Sequence, residues 1–299
     1  MGKRNAKFSG HQTFCFRYGW LEKGFRFVKN GQWFSEDNAI VDLGVGKNMV
    51  DSIRYWCEMV GILNDQKVSD LGKKILDEKT GWDPFLEDNA TLWLLHWKLN
   101  TNPDVITAGT ALFSYLHKPE FSKYDVAQAA VKILDPNKKA PSDKIIMRDI
   151  DCFIRSYTGG RRFDNHSLKE ESFECPFQEL NLIHPLRDSD LYRFSIGPKA
   201  SLPPEIIGFA IYEYLNQDTN RGAMRIQEAL YHEFSPGQVF MLDENAMIEA
   251  VQLLSASPKW HGKYGFTESA GVAMVRCEME EQEAWDLLND YYRGTPIHG

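Results

Sequence analysis

The sequence predicts a mainly α-helical protein with small β-hairpins, and three observations carry that prediction. Apolar residues recur at spacings of three and four through most of the 299 residues, as is typical of amphipathic helices. The hydrophobic content of 43% is enough to fill real cores. No apolar run approaches the roughly 20 residues needed to cross a bilayer, and no apolar segment follows the basic N-terminus. We therefore expect no membrane association and a cytoplasmic location.

The clearest predicted element is a helix, a glycine turn and a second helix. Residues 39–43 place apolar side chains on one face of a short helix. Gly44 and Gly46 permit a turn with positive φ, and Asn48 is the expected N-cap of the helix that follows. The apolar stripe of the second helix consists of Val50, Ile53, Cys57 and Val60.

The polar side of this second helix indicates DNA contact. A helix that packs on one side and offers polar, basic and aromatic groups on the other suits a major groove. A turn-like stretch at 64–67 and an apolar return at 68–76 predict a wing, and hence a winged helix-turn-helix. The alternative is a hairpin used only for packing or protein contact, since fold does not fix function. The candidate DNA-binding residues on the helix are Lys47, Asn48, Asp51, Arg54 and Tyr55. Three further candidates, Arg17, Lys23 and Arg26, lie in residues 1–35, the basic and aromatic segment called the lead-in below.

Charge is distributed unevenly along the chain. The net charge is −8, yet residues 1–35 contain seven Lys and Arg against Glu22 alone, a local +6. A basic arm before a helix-turn-helix can neutralise about four to six phosphates. The acidic remainder suits a protein partner or discourages non-specific binding. The alternative is a solvated basic face with no ligand.

The remaining periodicity predicts three domains, at 1–80, 81–165 and 166–299. Asp83-Pro84 is typical of a helix start, and residues 92–99 are apolar all round, so that helix should be buried. A C-terminal order of three helices, a basic aromatic loop and an apolar return resembles the first unit, so this domain is either a second winged helix or a plain helical module. Further helices are expected at 105–117, 122–134, 143–157, 205–215, 224–230 and 244–254.

Motifs with catalytic or metal-binding chemistry are weak. Residues 44–48 lack the upstream glycine and the hydroxyl of a nucleotide P-loop. Asp149-x-Asp151, Asp188-x-Asp190 and the Asp77-Glu78-Lys79 element lack the strands that would confirm a metal or nuclease site. His11 is better explained as structural than as catalytic. We expect no cofactor, no metal and no enzymatic activity. Five dispersed cysteines predict reduced, buried thiols: Cys15, Cys57, Cys152, Cys175 and Cys277.

A second cationic cluster lies at 159–162. Arg148 and Arg155 precede it on a predicted helix, and interleaved aspartates favour a self-neutralised surface there. Contact with phosphate or with a partner carboxylate is the alternative.

Several motifs occur in a fixed order along the first hundred residues. They are Phe8-Ser9-Gly10-His11-Gln12-Thr13-Phe14, Trp20-Leu21, Lys23-Gly24, residues 43–56, Gly81-Trp82-Asp83-Pro84-Phe85 and Thr91-Leu92-Trp93-Leu94-Leu95-His96-Trp97. This order resembles the bacterial domain-of-unknown-function family 4007, most densely over residues 8–100. The resemblance implies genes in phage-defence islands beside enzymes similar to phosphoadenosine-phosphosulfate (PAPS) reductase. It implies DNA-modification systems, including phosphorothioate and BREX-like ones, and gives no catalytic residues.

Together these features predict a non-enzymatic, DNA-binding accessory or regulatory protein. Its expected partners are double-stranded DNA and a protein from a defence or modification operon. The alternative is an adaptor that docks a sulfur-transfer (PAPS-reductase-like) or other modification enzyme and uses its winged helix for packing.

Overall fold

A computed structural model describes residues 5–36, 38–102, 105–137, 139–158, 175–217 and 221–294. The chain forms two compact units, Met1–Phe194 and Ser195–Gly299. This division differs from the expected domains at 1–80, 81–165 and 166–299, because the first two share one unit. Each helix in the described part of the chain is too short or too polar to span a lipid bilayer. The cluster at 159–162 lies outside the described residues.

The first part of unit 1 is helical with one small hairpin. Helix α3 begins at Lys47 with Gly46 as its N-cap, so the prediction of Asn48 as N-cap is wrong. The extended backbone of Gly46 already turns the chain into the helix. Residues 14–17 form a loop before α1. The elements are β1 (Asn5–Ala6), α1 (Trp20–Lys29), α2 (Ala39–Leu43), α3 (Lys47–Met59), β2 (Leu63–Asn64), β3 (Lys67–Val68) and α4 (Asp70–Leu76).

The second part of unit 1 surrounds an almost completely buried helix, α5 (Asn89–Thr101). Trp93 and Trp97 are completely buried, as the all-round apolar pattern predicted. The expected start at Asp83-Pro84 is wrong, because the Asp83 carboxylate instead accepts the N–H groups of Glu87 and Asp88 in a turn.

The prediction of a single helix at 105–117 is wrong. A short strand and two short helical turns occupy that stretch. The elements from 105 to 194 are β4 (Val105–Ile106), α6 (Ala108–Thr110), a π-helical turn Ala111–Tyr115, β5 (Glu120–Ser122), α7 (Lys123–Ile133), α8 (Asp143–Thr158), a 3-10 turn Pro176–Leu180, β6 (Ile183–Pro185) and β7 (Leu191–Phe194).

Unit 2 contains three longer helices, two short ones and a three-stranded sheet. A Cβ on Gly208 would lie 2.8 Å from Leu254 and 2.9 Å from the Tyr264 hydroxyl, so glycine permits close packing of the central helix. The elements are α9 (Pro204–Asn216), β8 (Ala223–Arg225), α10 (Ile226–Tyr231), α11 (Pro236–Phe240), α12 (Glu244–Ala256), β9 (Tyr264–Ser269), β10 (Val272–Cys277) and α13 (Glu281–Tyr292).

The two three-stranded sheets share one connectivity. In unit 1 the order is β5-β7-β6, and in unit 2 it is β8-β10-β9, with antiparallel neighbours in both. In each sheet the first strand, β5 or β8, is followed by helices. The chain then returns as a hairpin, β6–β7 or β9–β10, and the second strand of that hairpin pairs with β5 or β8. The β2–β3 hairpin also follows a helix pair, and its described sheet has two strands.

Candidate nucleic-acid interface

Helices α2 and α3 follow one another across a short turn. Three residues join them, and Gly44 ends α2 in the left-handed region with φ 65°. Such a short turn containing glycine is typical of helix-turn-helix motifs. The pair rests on α1, where a Cβ on Gly24 would lie 2.5 Å from the Cys57 sulfur. Glycine at that position therefore allows α1 and α3 to approach closely.

The start of α3 carries exposed polar side chains. Lys47 and Asn48 are exposed, while Asp51 and Arg54 are half-buried. Lys47 and Arg54 are seven residues apart, so they share one side of the helix at about 10 Å separation along its axis. Neither forms an ion pair within the described part of the chain. Four of the five candidate residues on this helix are therefore available to a ligand.

Tyr55 is buried, and the prediction that its side chain is accessible is wrong. It is 4% exposed, and its ring lies 5.5 Å from His11 and 5.3 Å from Trp56. Gly10 lies so close that a Cβ there would be 2.2 Å from the Tyr55 ring. Burial and the nearby Asp149 charge raise the Tyr55 pKa well above its usual value. The lead-in covers this side of α3, which the helix periodicity alone did not reveal.

The hairpin after α3 has a strained tip. Asp65 and Gln66 have φ values of 46° and 62°, both in the left-handed region. A two-residue turn of this kind favours Asn-Gly or Asp-Gly, because Asn and Asp tolerate a positive φ better than other side chains do and glycine adopts it without strain. Asp65, Gln66 and Lys67 are exposed, and Lys67 has no ion pair among the residues described. The tip thus presents polar side chains where glycine would be easier to accommodate.

The lead-in cations are less available than the local +6 implied. Arg26 pairs with Glu22 and Glu78, both at 2.9 Å. Lys29 pairs with Asp77 at 2.8 Å and Lys7 with Glu58 at 3.2 Å.

Two candidate lead-in cations have other surroundings. Arg17 is half-buried over the rings of Phe14 and Trp20, at 5.7 and 5.2 Å. Lys23 is exposed, and its ammonium donates to the Leu43 carbonyl at 3.5 Å. Lys23 thus remains beside the turn that leads into α3.

His11 joins the lead-in to α8. Its ring is fully buried, with Nε2 2.6 Å from Asp149 Oδ1. The Thr13 N–H donates to His11 Nδ1 at 3.0 Å, which places the ring proton on Nε2. The Ser9 N–H donates to the same Asp149 oxygen at 2.6 Å. These contacts give His11 a structural role and join the first part of unit 1 to α8.

Three of the carboxylates considered for a divalent ion, Asp77, Asp149 and Asp151, are held by contacts within the chain. Asp149 contacts Ser9 and His11, and Asp151 accepts from Lys123 and Arg155. Lys29 and the backbone N–H groups of residues 79 and 80 hold the pKa of Asp77 well below its usual range. Within the described ranges no group of three or more His, Cys, Asp or Glu side chains is arranged to hold a metal ion.

The two units differ in net charge. Residues 1–194 contain 27 Lys and Arg and 27 Asp and Glu, a net charge of zero, while residues 195–299 contain 7 and 15, a net charge of −8. Four cations of unit 2 are paired at 3.0 Å or less: Arg221, Lys259, Lys263 and Arg276. The exposed side chains of α12 include Glu244, Asn245, Glu249 and Gln252. The surface of α12 is thus acidic, in contrast to the start of α3.

The fold and this surface define a mainly helical protein with small antiparallel sheets and a C-terminal unit of net charge −8. The chain belongs to the DUF4007 family, a protein family of unknown function, whose model matches residues 8–292. The expected family is therefore confirmed. A comparison with curated proteins gives no match.

Two crystal structures of SspB are similar to this chain. One is described as magnesium ion-bound, with a TM-score of 0.84 and 28% sequence identity. The other has a TM-score of 0.84 and 29% identity. Each match covers 97% of this chain and 89% of the SspB chain. The likeness therefore includes both units.

Proposed function

We propose that this protein binds duplex DNA through the surface formed by α3 and the β2–β3 hairpin. The observation that carries the proposal is the placement of its cations. Lys47, Arg54 and Lys67 lie on this helix and hairpin with no ion pair among the described residues. Lys23, beside the turn, adds a fourth. Binding to the DNA phosphate backbone requires positive charge. That charge thus lies on the helix and hairpin that suit the major groove of DNA.

A winged-helix interpretation supports this proposal. The order of α1, α2, α3 and the β2–β3 hairpin is that of a winged helix-turn-helix, whose second paired helix enters the major groove. The connectivity of the β5–β7 and β8–β10 sheets extends the interpretation to two further modules. Among the helices of these modules, α3 follows a short glycine turn and carries Lys47 and Arg54, which form no ion pair among the described residues.

We further propose that the protein is a non-enzymatic accessory or regulatory component of a bacterial phage-defence or DNA-modification system. The resemblance of the chain to its family implies neighbours similar to PAPS reductase and systems of phosphorothioate or BREX-like type. The similarity to SspB over nearly the full length supports a shared role in such a system. A protein from the same operon is the proposed second partner.

A second candidate function is that of an adaptor for a modification enzyme. The net charge of −8 on residues 195–299 favours it, because an acidic unit is repelled by DNA and attracts a basic protein surface. In this alternative the sulfur-transfer or other modification enzyme docks on unit 2, and the helix-turn-helix serves only in packing.

Equilibrium binding to duplex DNA at increasing salt tests the proposal. Contact of about three to four phosphates by Lys23, Lys47, Arg54 and Lys67 should give a slope of log affinity against log salt of about −3 to −4. This slope is shallower than four to six phosphates would give, because Lys7, Arg26 and Lys29 are paired. Fluorescence anisotropy of a labelled duplex measures it.

Two outcomes would overturn parts of the proposal. Absence of binding at low salt, or a flat salt response, would remove DNA binding and leave the adaptor. The same duplex is incubated with Mg²⁺ and separately with a chelator, since one SspB structure holds magnesium. Mg²⁺-dependent strand cleavage would contradict the non-enzymatic part while leaving DNA binding intact.

A further inference from the structure

An open apolar groove of about 510 Å³ lies between α7 and α8. Tyr124 is 66% exposed, Val131 52% and Met147 36%. These are three of the eleven large hydrophobic side chains that are exposed in the described part of the chain, and they line one groove. Exposed apolar side chains are ordinary when scattered, whereas a cluster marks an interaction site.

Two opposite charges border the same groove. Lys132 of α7 and Asp143 of α8 both line it, and both are exposed. Neither forms an ion pair within the ranges described, although neighbouring Lys118, Asp125, Lys123 and Asp151 are all paired. The groove therefore offers one cation, one anion and an apolar floor, without a net charge that would select a charged partner.

We infer that the groove is the contact surface of a two-fold homodimer. In a two-fold interface every contact occurs twice, so a surface must be complementary to itself. A second copy turned about the axis places Lys132 against Asp143 of the partner subunit, and Asp143 against Lys132 of the partner subunit. The apolar side chains of the two copies, Tyr124, Val131 and Met147 in each, then pack together between these charges. A balanced charge pair around an apolar centre has this self-complementarity.

The proposed dimer does not depend on the proposed DNA binding, and a separate experiment tests it. Sedimentation of the full chain from about 1 to 100 µM should show a species of twice 34.4 kDa. Val131→Glu introduces two unpaired carboxylates into the apolar centre and should give a monomer. Because Val131 is half-exposed, the variant is expected to fold, and circular dichroism checks this. Val272→Glu, an exposed site on β10, is the matched control and should leave the dimer unchanged.

Charge reversal separates self-association from capture of another protein. Lys132→Glu alone and Asp143→Lys alone each place like charges together twice per dimer, so each should weaken dimerisation by about tenfold or more. The double variant restores opposite charges across the axis and should recover dimerisation. A wild-type monomer throughout the concentration range overturns the inference. The inference is also overturned if the two single charge reversals leave the dimer affinity unchanged, or if the double variant does not recover dimerisation.

Discussion

Helix α3 of unit 1 and helix α12 of unit 2 are each followed by a two-stranded hairpin, yet the start of α3 exposes a cation where α12 exposes carboxylates. At α3 the exposed side chains include Lys47 and Asn48, while α12 exposes Glu244 and Glu249. The local architecture is shared because it depends on apolar side chains packed beneath each helix. The outward residues are free of that constraint, so similar elements in one chain can serve different partners.

The largest expected effect concerns the cores beneath the two surfaces. Trp93→Ala should lower the free energy of unfolding of unit 1 by about 3–5 kcal/mol, since it removes a fully buried ring. Trp260→Ala, in the core of unit 2, is the matched change and should destabilise that unit by a similar amount. Chemical denaturation measures the loss in each variant. An unchanged free energy of unfolding in either variant would contradict the core position of that ring.

The surface charges give the next effect. Lys47→Ala with Arg54→Ala should weaken DNA binding by about tenfold or more, since two phosphate or base contacts are lost. Stability should change by less than about 0.5 kcal/mol for each polar surface substitution. Anisotropy titrations and thermal melts measure the two quantities.

Lys259→Ala with Arg276→Ala removes the same charge from unit 2 and is the control for that experiment. It should change DNA affinity by less than about threefold, because both cations already lie in ion pairs. Equal losses in the two double variants would mean that binding depends on total charge, and the contrast between the helices would disappear.

The hairpin tips give the smallest effect. The β9–β10 turn has Ala270 and Gly271 in the left-handed region, whereas the β2–β3 turn has Asp65 and Gln66. Gln66→Gly should stabilise the protein by about 0.5–1 kcal/mol, because the strain of a left-handed side chain is removed. Gly271→Gln should destabilise it by a similar amount. Opposite shifts of the melting temperature are expected, and shifts of the same sign would exclude turn strain as the cause.

Local features of this molecule could be predicted from the sequence. The glycine turn at Gly44–Gly46, the apolar stripe of α3 and the burial of Trp93 depend on residues a few positions apart. The N-cap was misplaced by two residues, since Asn48 has the stronger intrinsic preference and the extended Gly46 decides the actual start.

Non-local features could not be predicted. Tyr55 is buried because residues 9–13 fold across α3 and are held by Asp149 of α8. Arg26 pairs with Glu78 across 52 positions of sequence. Strand β5 pairs with β7, which lies about seventy residues later. Such contacts depend on tertiary packing, which no window of local periodicity contains, and they decide which cations remain available to a ligand.

The burial of all five free cysteines gives the chain internal reporters of its own motions. Burial raises the pKa of the Cys277 thiol to about 12, and that of Cys57 rises for the same reason. A thiol reagent in solution can therefore reach either sulfur only when its surroundings open. Cys277 samples unit 2, and Cys57 samples the contact of α1 with α3. Labelling rates at these two positions, followed by mass spectrometry, would measure the opening of each unit without any engineered probe.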